Sequence, residues 1–199
     1  MSTNLAESQV ITPEEYLAGE TIADEKHEYL NGSVYTLHDA RNMAGAGDSH
    51  VKISLNIAAL VKNHLKGSGC STYISDMRVK VDAKDKAWFY PDVMVSCDPD
   101  DRQHETIKYN PVLVVEVMSK STRDYDRGGK FAVYRQLNSL KEYVLVEPRH
   151  YYVEVFRLNK HHRWELFTYE GIAVSVELSS IDLTCTITDF YEDVLGLNI

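Results

Sequence analysis

A carboxylate set in the middle of an unbroken apolar run is the strongest constraint this sequence places on its fold. Pro111-Val112-Leu113-Val114-Val115-Glu116-Val117-Met118 is β-branched and apolar on both alternating faces, the pattern of a strand covered on both sides. A second run, Trp88-Phe89-Tyr90-Pro91-Asp92-Val93-Met94-Val95, has the same character around Asp92. An ionised acid in such a place is costly unless something compensates its charge. A divalent metal ion shared by the two acids would do so. A salt bridge to a basic side chain, or a strand end that reaches water, would serve as well.

The chain has 199 residues, 44% hydrophobic and 26% charged, which fits one globular domain with a real core. The expected division is a flexible N-terminus over 1–11 and a single domain over 12–199. No run approaches the ~18–20 apolar residues of a membrane span, and the first residues lack the layout of a signal peptide. Cys70, Cys97 and Cys185 are far apart and odd in number, so they read as reduced thiols of a cytoplasmic protein, not as a disulfide framework.

The formal net charge of −9 speaks against nucleic acid at first sight. Its distribution matters more. Residues 1–30 carry −6, residues 164–199 carry −7, and the middle of the chain carries +4. Nucleic-acid binding is left open by that segregation, though the overall charge gives it no support.

Thr12-Pro13-Glu14-Glu15 offers an N-cap, a first-turn Pro and two acids, predicting a short helix that ends before Gly19. Asn31-Gly32 between two β-prone runs predicts a hairpin over 27–37. From His50 to Lys66 the apolar spacing predicts a helix with a broad buried face, ended by Gly67. Tyr73–Asp82 reads as a strand antiparallel to the Asp92 strand. A helix over 123–137 between the Glu116 strand and the apolar run Glu142–Val146 makes a βαβ crossover, hence a parallel pair. Residues 151–158 and 163–169 read as a second hairpin around an Asn159-Lys160-His161-His162 turn, and the acidic tail as a short strand and a short helix.

This α-β-β-β-α-β order, with Pro91-Asp92 and Glu116, resembles the PD-(D/E)XK nuclease superfamily. It is most similar to the Uma-type branch of proposed restriction endonucleases, long known as a domain of unknown function. The resemblance rests on Glu28-Tyr29-Leu30-Asn31-Gly32, Asp48-Ser49-His50, Tyr90-Pro91-Asp92-Val93, Val115-Glu116-Val117, Ser119 with Ser121-Thr122, Asp124-Tyr125-Asp126-Arg127 with Lys130, and Tyr143–Pro148. It covers roughly residues 12–195. It implies an α/β fold with a restriction-endonuclease-like αβββαβ core and central mixed sheet, extended by the N-terminal and C-terminal hairpins. It also implies Mg²⁺-dependent hydrolysis of phosphodiester bonds in DNA, with Mn²⁺ as a substitute, by a homodimer. The rival from another class is a non-catalytic module that keeps the sheet to bind protein or nucleic acid.

Asp92 and Glu116 are then the expected metal ligands, since Mg²⁺ is held by one or two carboxylates and keeps several waters. A lysine should orient or deprotonate the attacking water and stabilise developing charge. The superfamily places it two residues after the glutamate, where this chain has Met118. Lys130 on the following helix and Lys120 just before that helix remain as candidates; a surface ion pair of Lys130 with Asp126 is the plain alternative. Glu28 is a further candidate carboxylate, or an exposed strand acid. His50 either faces the site or caps its helix, and Asp76 is a possible neighbour of the site. Arg123 and Arg127, with Lys120, could position phosphate, or could form a solvated helix face balanced by Asp124 and Asp126. His161-His162 reads as a turn.

Overall fold

A computed structural model describes residues 10–36, 47–81, 87–120 and 122–197 of the chain. Helix α1 (Pro13–Ile22) starts with a complete capping box between Thr12 and Glu15 and runs past Gly19, where the sequence predicts a stop. The hairpin of β1 (His27–Leu30) and β2 (Ser33–Thr36) turns at Asn31-Gly32, both with positive φ (50° and 88°), as a two-residue hairpin turn requires. Helix α2 (Asp48–His64) buries Ile53, Ile57, Ala58 and Val61 but exposes Val51 and Leu55, a narrower face than the spacing predicts.

The two runs that read as single strands are each broken in two. The first gives β3 (Ser71–Ile74) and β4 (Arg78–Val81), separated at Ser75, whose φ is 28°. The second gives β5 (Ala87–Phe89) and β6 (Val93–Ser96), separated by Tyr90-Pro91-Asp92. Pro91 has no N–H to give to a ladder, so a strand cannot continue smoothly through it. At these breaks the antiparallel pair passes from one sheet to another: β4 pairs with β5 in a five-stranded sheet, and β3 with β6 in a six-stranded sheet. The expected single central sheet is therefore two mixed sheets. Asp92 stands in the gap between them instead of inside a strand.

The remaining elements are β7 (Ile107–Lys108), β8 (Pro111–Val117), β9 (Glu142–Val146), β10 (Tyr152–Leu158), β11 (Trp164–Glu170), β12 (Ser175–Leu178) and β13 (Leu183–Thr186). The sheet orders are β2-β1-β5-β4-β7 and β11-β10-β9-β8-β6-β3. The expected parallel pair is present as β8 and β9, with Val117 opposite Val146, and β10–β11 is the expected second hairpin. The tail forms the small β12–β13 pair with 3₁₀ turns in place of one strand and a helix. Residues 1–9 of the expected flexible N-terminus, residue 37 of the expected hairpin with residues 38–46, and residues 82–86, 121, 198 and 199 lie outside the described residues; Ile11 is described, and its N–H donates to the Gly32 carbonyl (3.0 Å).

Alternation along β8 decides where Glu116 goes. Leu113, Val115 and Val117 join one core under α2, with Ile53, Ile57 and Val61. Val114 and Met118 join the other core, with Val79, Phe89, Phe131, Tyr134 and Tyr143. Glu116 shares that second face, which looks onto the five-stranded sheet and the crossover helix. No helix among the described residues is long and apolar enough to cross a membrane.

One sequence reading is overturned here. Cys70 and Cys97 form a disulfide across 27 residues of sequence, because Ser71 pairs with Ser96 in the β3–β6 ladder and the next residues on each strand are these cysteines. Cys185 is the free thiol. Closing a loop of that length stabilises by about 3 kcal/mol in the chain-entropy account. The expected outcome for Cys70→Ser/Cys97→Ser is a urea midpoint lowered accordingly. Thiol titration of the unreduced, denatured protein should find Cys185 alone; reactive Cys70 and Cys97 would contradict the crosslink.

Candidate active site

Six elements deliver polar side chains to the gap between the two sheets. Pro91 ends the ladder, and the Asp92 carboxylate takes over from it: Oδ2 accepts the Val117 N–H at 2.8 Å. The Asp92 carbonyl accepts the Ser75 N–H at 3.2 Å. His50, in the first turn of α2, brings Nε2 within 2.8 Å of Asp92 Oδ1. Asp92 is thus fixed by both neighbouring strands and by α2.

Glu116 and Glu28 converge on one lysine. The Lys130 ammonium lies 2.9 Å from Glu116 Oε1 and 3.0 Å from Glu28 Oε1, and all three residues are buried. Glu28 Oε1 also accepts the Tyr90 N–H at 3.2 Å. The Tyr134 hydroxyl donates to Glu116 Oε1 at 3.2 Å.

Lys130 reaches this place through a distorted helix. The crossover consists of α3 (Arg123–Tyr125), a π turn (Asp126–Lys130) and α4 (Phe131–Tyr134), ending at Arg135 instead of Leu137. A Cβ on Gly129 would sit 2.9 Å from two carbons of the Tyr125 ring, so the tight approach of that ring needs glycine there. Single π turns of this kind are frequent at functional sites. This one turns both Asp126 and Lys130 inward, which overturns the surface ion-pair reading for Lys130.

Asp126 belongs to this cluster, although its sequence context marks it only as a helix-surface acid. Its side chain is buried, and burial raises its pKa, opposed by Lys130 and by a hydrogen bond from Thr122. Its spacing to Lys130 is visible in the sequence; the π turn that buries both is not. Tyr134 carries no sequence signal at all, since a tyrosine in an amphipathic helix looks like core.

Among the described residues the charges do not balance. Asp92, Asp126 and Glu28 all act on Glu116. Glu116, Glu28 and Asp126 share Lys130 as their cation, while Asp92 has His50 beside it. Burial pushes the Glu116 carboxyl up to about 8, opposed by Lys130 and reinforced by Asp92, Asp126 and Glu28. Burial works against the Lys130 charge, but Glu116, then Glu28 and Asp126, outweigh it and hold the ammonium well above its usual range. So Lys130 stays protonated, and Glu116 keeps a proton near neutrality.

Other expected residues lie outside the cluster. Asp76 is exposed and pairs with Lys26. Lys120 is exposed on the connection after β8. Arg127 binds Glu154 on β10 through Nε and Nη2, at 2.8 and 3.2 Å, and Arg123 pairs with Glu147; these partners replace the expected Asp124 and Asp126. Met118 is fully buried in the second core. His161 and His162 lie in the β10–β11 turn, as expected.

Residues 13–188 match the Uma2 family, described as "Putative restriction endonuclease". An uncharacterised Synechocystis protein, slr1290, is 36% identical over 181 residues, 91% of either chain. A second from that organism, sll1609, is 30% identical over 178 residues, 88% of this chain and 96% of its own. A crystal structure from Anabaena variabilis, described as a "putative nuclease belonging to DUF820", superposes with a TM-score of 0.69 at 17% identity, covering 93% of this chain and 99% of that one. That likeness establishes a shared fold.

Two outcomes follow from the charge imbalance. Glu116 titrates near 4.5 when unfolded and at about 8 when folded, so the folded state binds the extra proton and its contribution to stability is lost as pH rises across that window. Urea unfolding at pH 5 and pH 8.5 should show a smaller pH-dependent loss in Glu116→Gln than in wild type. Lys130→Met leaves buried carboxylates without their cation and should cost about 3–5 kcal/mol at pH 8.5, less at pH 5. A pH-independent loss would contradict this.

Proposed function

We propose that this chain, which belongs to the Uma2 family described as "Putative restriction endonuclease", hydrolyses phosphodiester bonds of DNA with the help of a divalent cation. The observation that carries the reading is the surplus, among the described residues, of the buried carboxylates Glu28, Glu116 and Asp126 over the one lysine they share, with buried Asp92 acting on Glu116 beside them. Mg²⁺, or Mn²⁺ in its place, fits that surplus. Oxygen donors suit a hard cation, and Asp92 and Glu116 would hold it. Among the described residues no three His, Cys, Asp or Glu side chains form a ready-made cage; Mg²⁺ commonly takes one or two carboxylates and completes its shell with water. When bound, the cation supplies charge against the scissile phosphate and makes a water more acidic.

The chain's own groups do the rest. Lys130, clamped by Glu28 and Glu116, has its ammonium fixed in the protonated form, so it acts as an oriented N–H donor and a charge stabiliser, not as the base. Glu28 holds that ammonium on the second sheet. Tyr134 holds Glu116 Oε1 from the far side. His50 and the Val117 N–H fix Asp92. Cleavage of both strands of a duplex calls for two such sites, which a homodimer would supply.

Met118 at the position of the usual lysine favours the alternative, a non-catalytic module on the nuclease fold. Calorimetric titration with Mn²⁺ separates them. The nuclease reading expects binding by wild type that Asp92→Ala abolishes, and plasmid nicking that Glu116→Gln and Lys130→Met each reduce by at least a hundredfold. Wild type without a metal isotherm, or nicking untouched by Glu116→Gln, would leave the binding module.

A further inference from the structure

The end of the six-stranded sheet that carries Glu116 also gathers cations, in a chain whose net charge is −9. Strands β8 and β9 run parallel with Val117 opposite Val146. Three residues beyond each of these comes an exposed base, Lys120 after β8 and Arg149 after β9. Because the strands are adjacent and in register, the two emerge side by side.

Two arginines from the crossover complete the group. Arg123 is held by Glu147 and Arg127 by Glu154, and the carboxylates are buried (2% and 8% exposed) while the arginine side chains remain 39% and 33% exposed. Glu147 ties the pieces together, since its Oε1 also accepts the Arg149 N–H at 3.3 Å. The acids sit behind the guanidinium groups and fix them, and the arginines keep part of their side chains open to solvent. Among the described residues, the exposed acids Asp124 and Glu170 lie at the same end, and with Glu147 and Glu154 they match the four bases in number, so what the ridge offers is exposed N–H donors and not a net charge.

We propose that this ridge, made by Lys120, Arg123, Arg127 and Arg149, is where the sugar–phosphate backbone of a DNA duplex lies when its scissile bond meets the carboxylate cluster. The assignment rests on the nuclease reading and adds to it the path of the substrate. Arginine forks held from behind lose little freedom on meeting phosphate, and backbone contacts of this kind fix register without reading sequence. The ridge is continuous with the site: Glu116 is four residues before Lys120 in the chain, and Arg127 and Lys130 share one π turn. A second basic cluster, Lys160 to Arg163, caps the β10–β11 hairpin. It lies at the opposite end of the sheet, where Arg157 faces Glu142 and Glu142 faces Leu113.

The test is fluorescence anisotropy of a labelled DNA duplex with the full chain, in EDTA, over a series of salt concentrations. Every lysine or arginine removed from a phosphate lowers the slope of log affinity against log salt by about one. Lys120→Ala/Arg149→Ala should therefore lower that slope by about two and bind several-fold more weakly at moderate salt. Lys160→Ala/Arg163→Ala, which removes the same charge from the far end, should keep the wild-type slope. Equal slopes for wild type and Lys120→Ala/Arg149→Ala, or a lowered slope in the Lys160→Ala/Arg163→Ala protein instead, would overturn the ridge and leave the metal-site reading standing. A wild type that binds no DNA would overturn the nuclease reading, and the ridge with it.

Discussion

One ammonium group, closed in by carboxylates from two different sheets, is the interaction on which the rest of this structure depends. Lys130 touches Glu116 of the six-stranded sheet and Glu28 of the five-stranded sheet, and it is their only shared cation among the described residues. Removing two carboxylates and an ammonium from water is expensive, and here the attraction is spread over more acids than one lysine can neutralise. Burial, opposed by Lys130 and reinforced by Asp92, Asp126 and Glu28, raises the Glu116 carboxyl to about 8. A site left in that condition is primed to take up positive charge, whether as protons or as a metal ion.

The fold goes to some length to hold that arrangement. One antiparallel pair of runs switches sheets, at Ser75 in one and Pro91 in the other, opening the gap in which Asp92 stands. The crossover helix widens into a π turn in which Gly129 lies close under the Tyr125 ring. The alternation of β8 aims Glu116 into the core shared by both sheets instead of the one under α2. None of these features strengthens the protein as packing would; the breaks interrupt ladders and the π turn is a poorer helix. The disulfide at Cys70–Cys97 and the continuous valine-rich core under α2 stabilise the same sheet from the side away from the cluster.

Much of this is legible in the sequence. The Asn31-Gly32 hairpin, the parallel crossover around residues 123–137 and the second hairpin follow from turn chemistry and apolar periodicity, and all three are present. The burial of Asp92 and Glu116 is legible too, because a carboxylate in a run like Val114–Val117 admits few explanations. The failures have specific physical causes. A strand that changes sheets keeps its alternation on both sides of the break, so Trp88–Val95 looks continuous even though Pro91 interrupts it. The acids nearest Arg123 and Arg127 in sequence are not their partners; Glu147 and Glu154 come from strands that only the tertiary fold brings close. Asp126 and Lys130 have the spacing of a surface pair, and nothing local says that a π turn will bury them. Cys70 and Cys97 are distant along the chain, and the β3–β6 ladder makes that distance irrelevant.

The central claim is that Asp92 and Glu116 share one divalent cation beside the clamped lysine. Anomalous diffraction from crystals grown with Mn²⁺ addresses it most directly. The account predicts a single strong anomalous peak within coordinating distance of both carboxylates, about 2.1–2.3 Å as for a hard cation on oxygen, with the Lys130 ammonium retained next to Glu116. A peak bound elsewhere, or none at these two acids under saturating Mn²⁺, would contradict it.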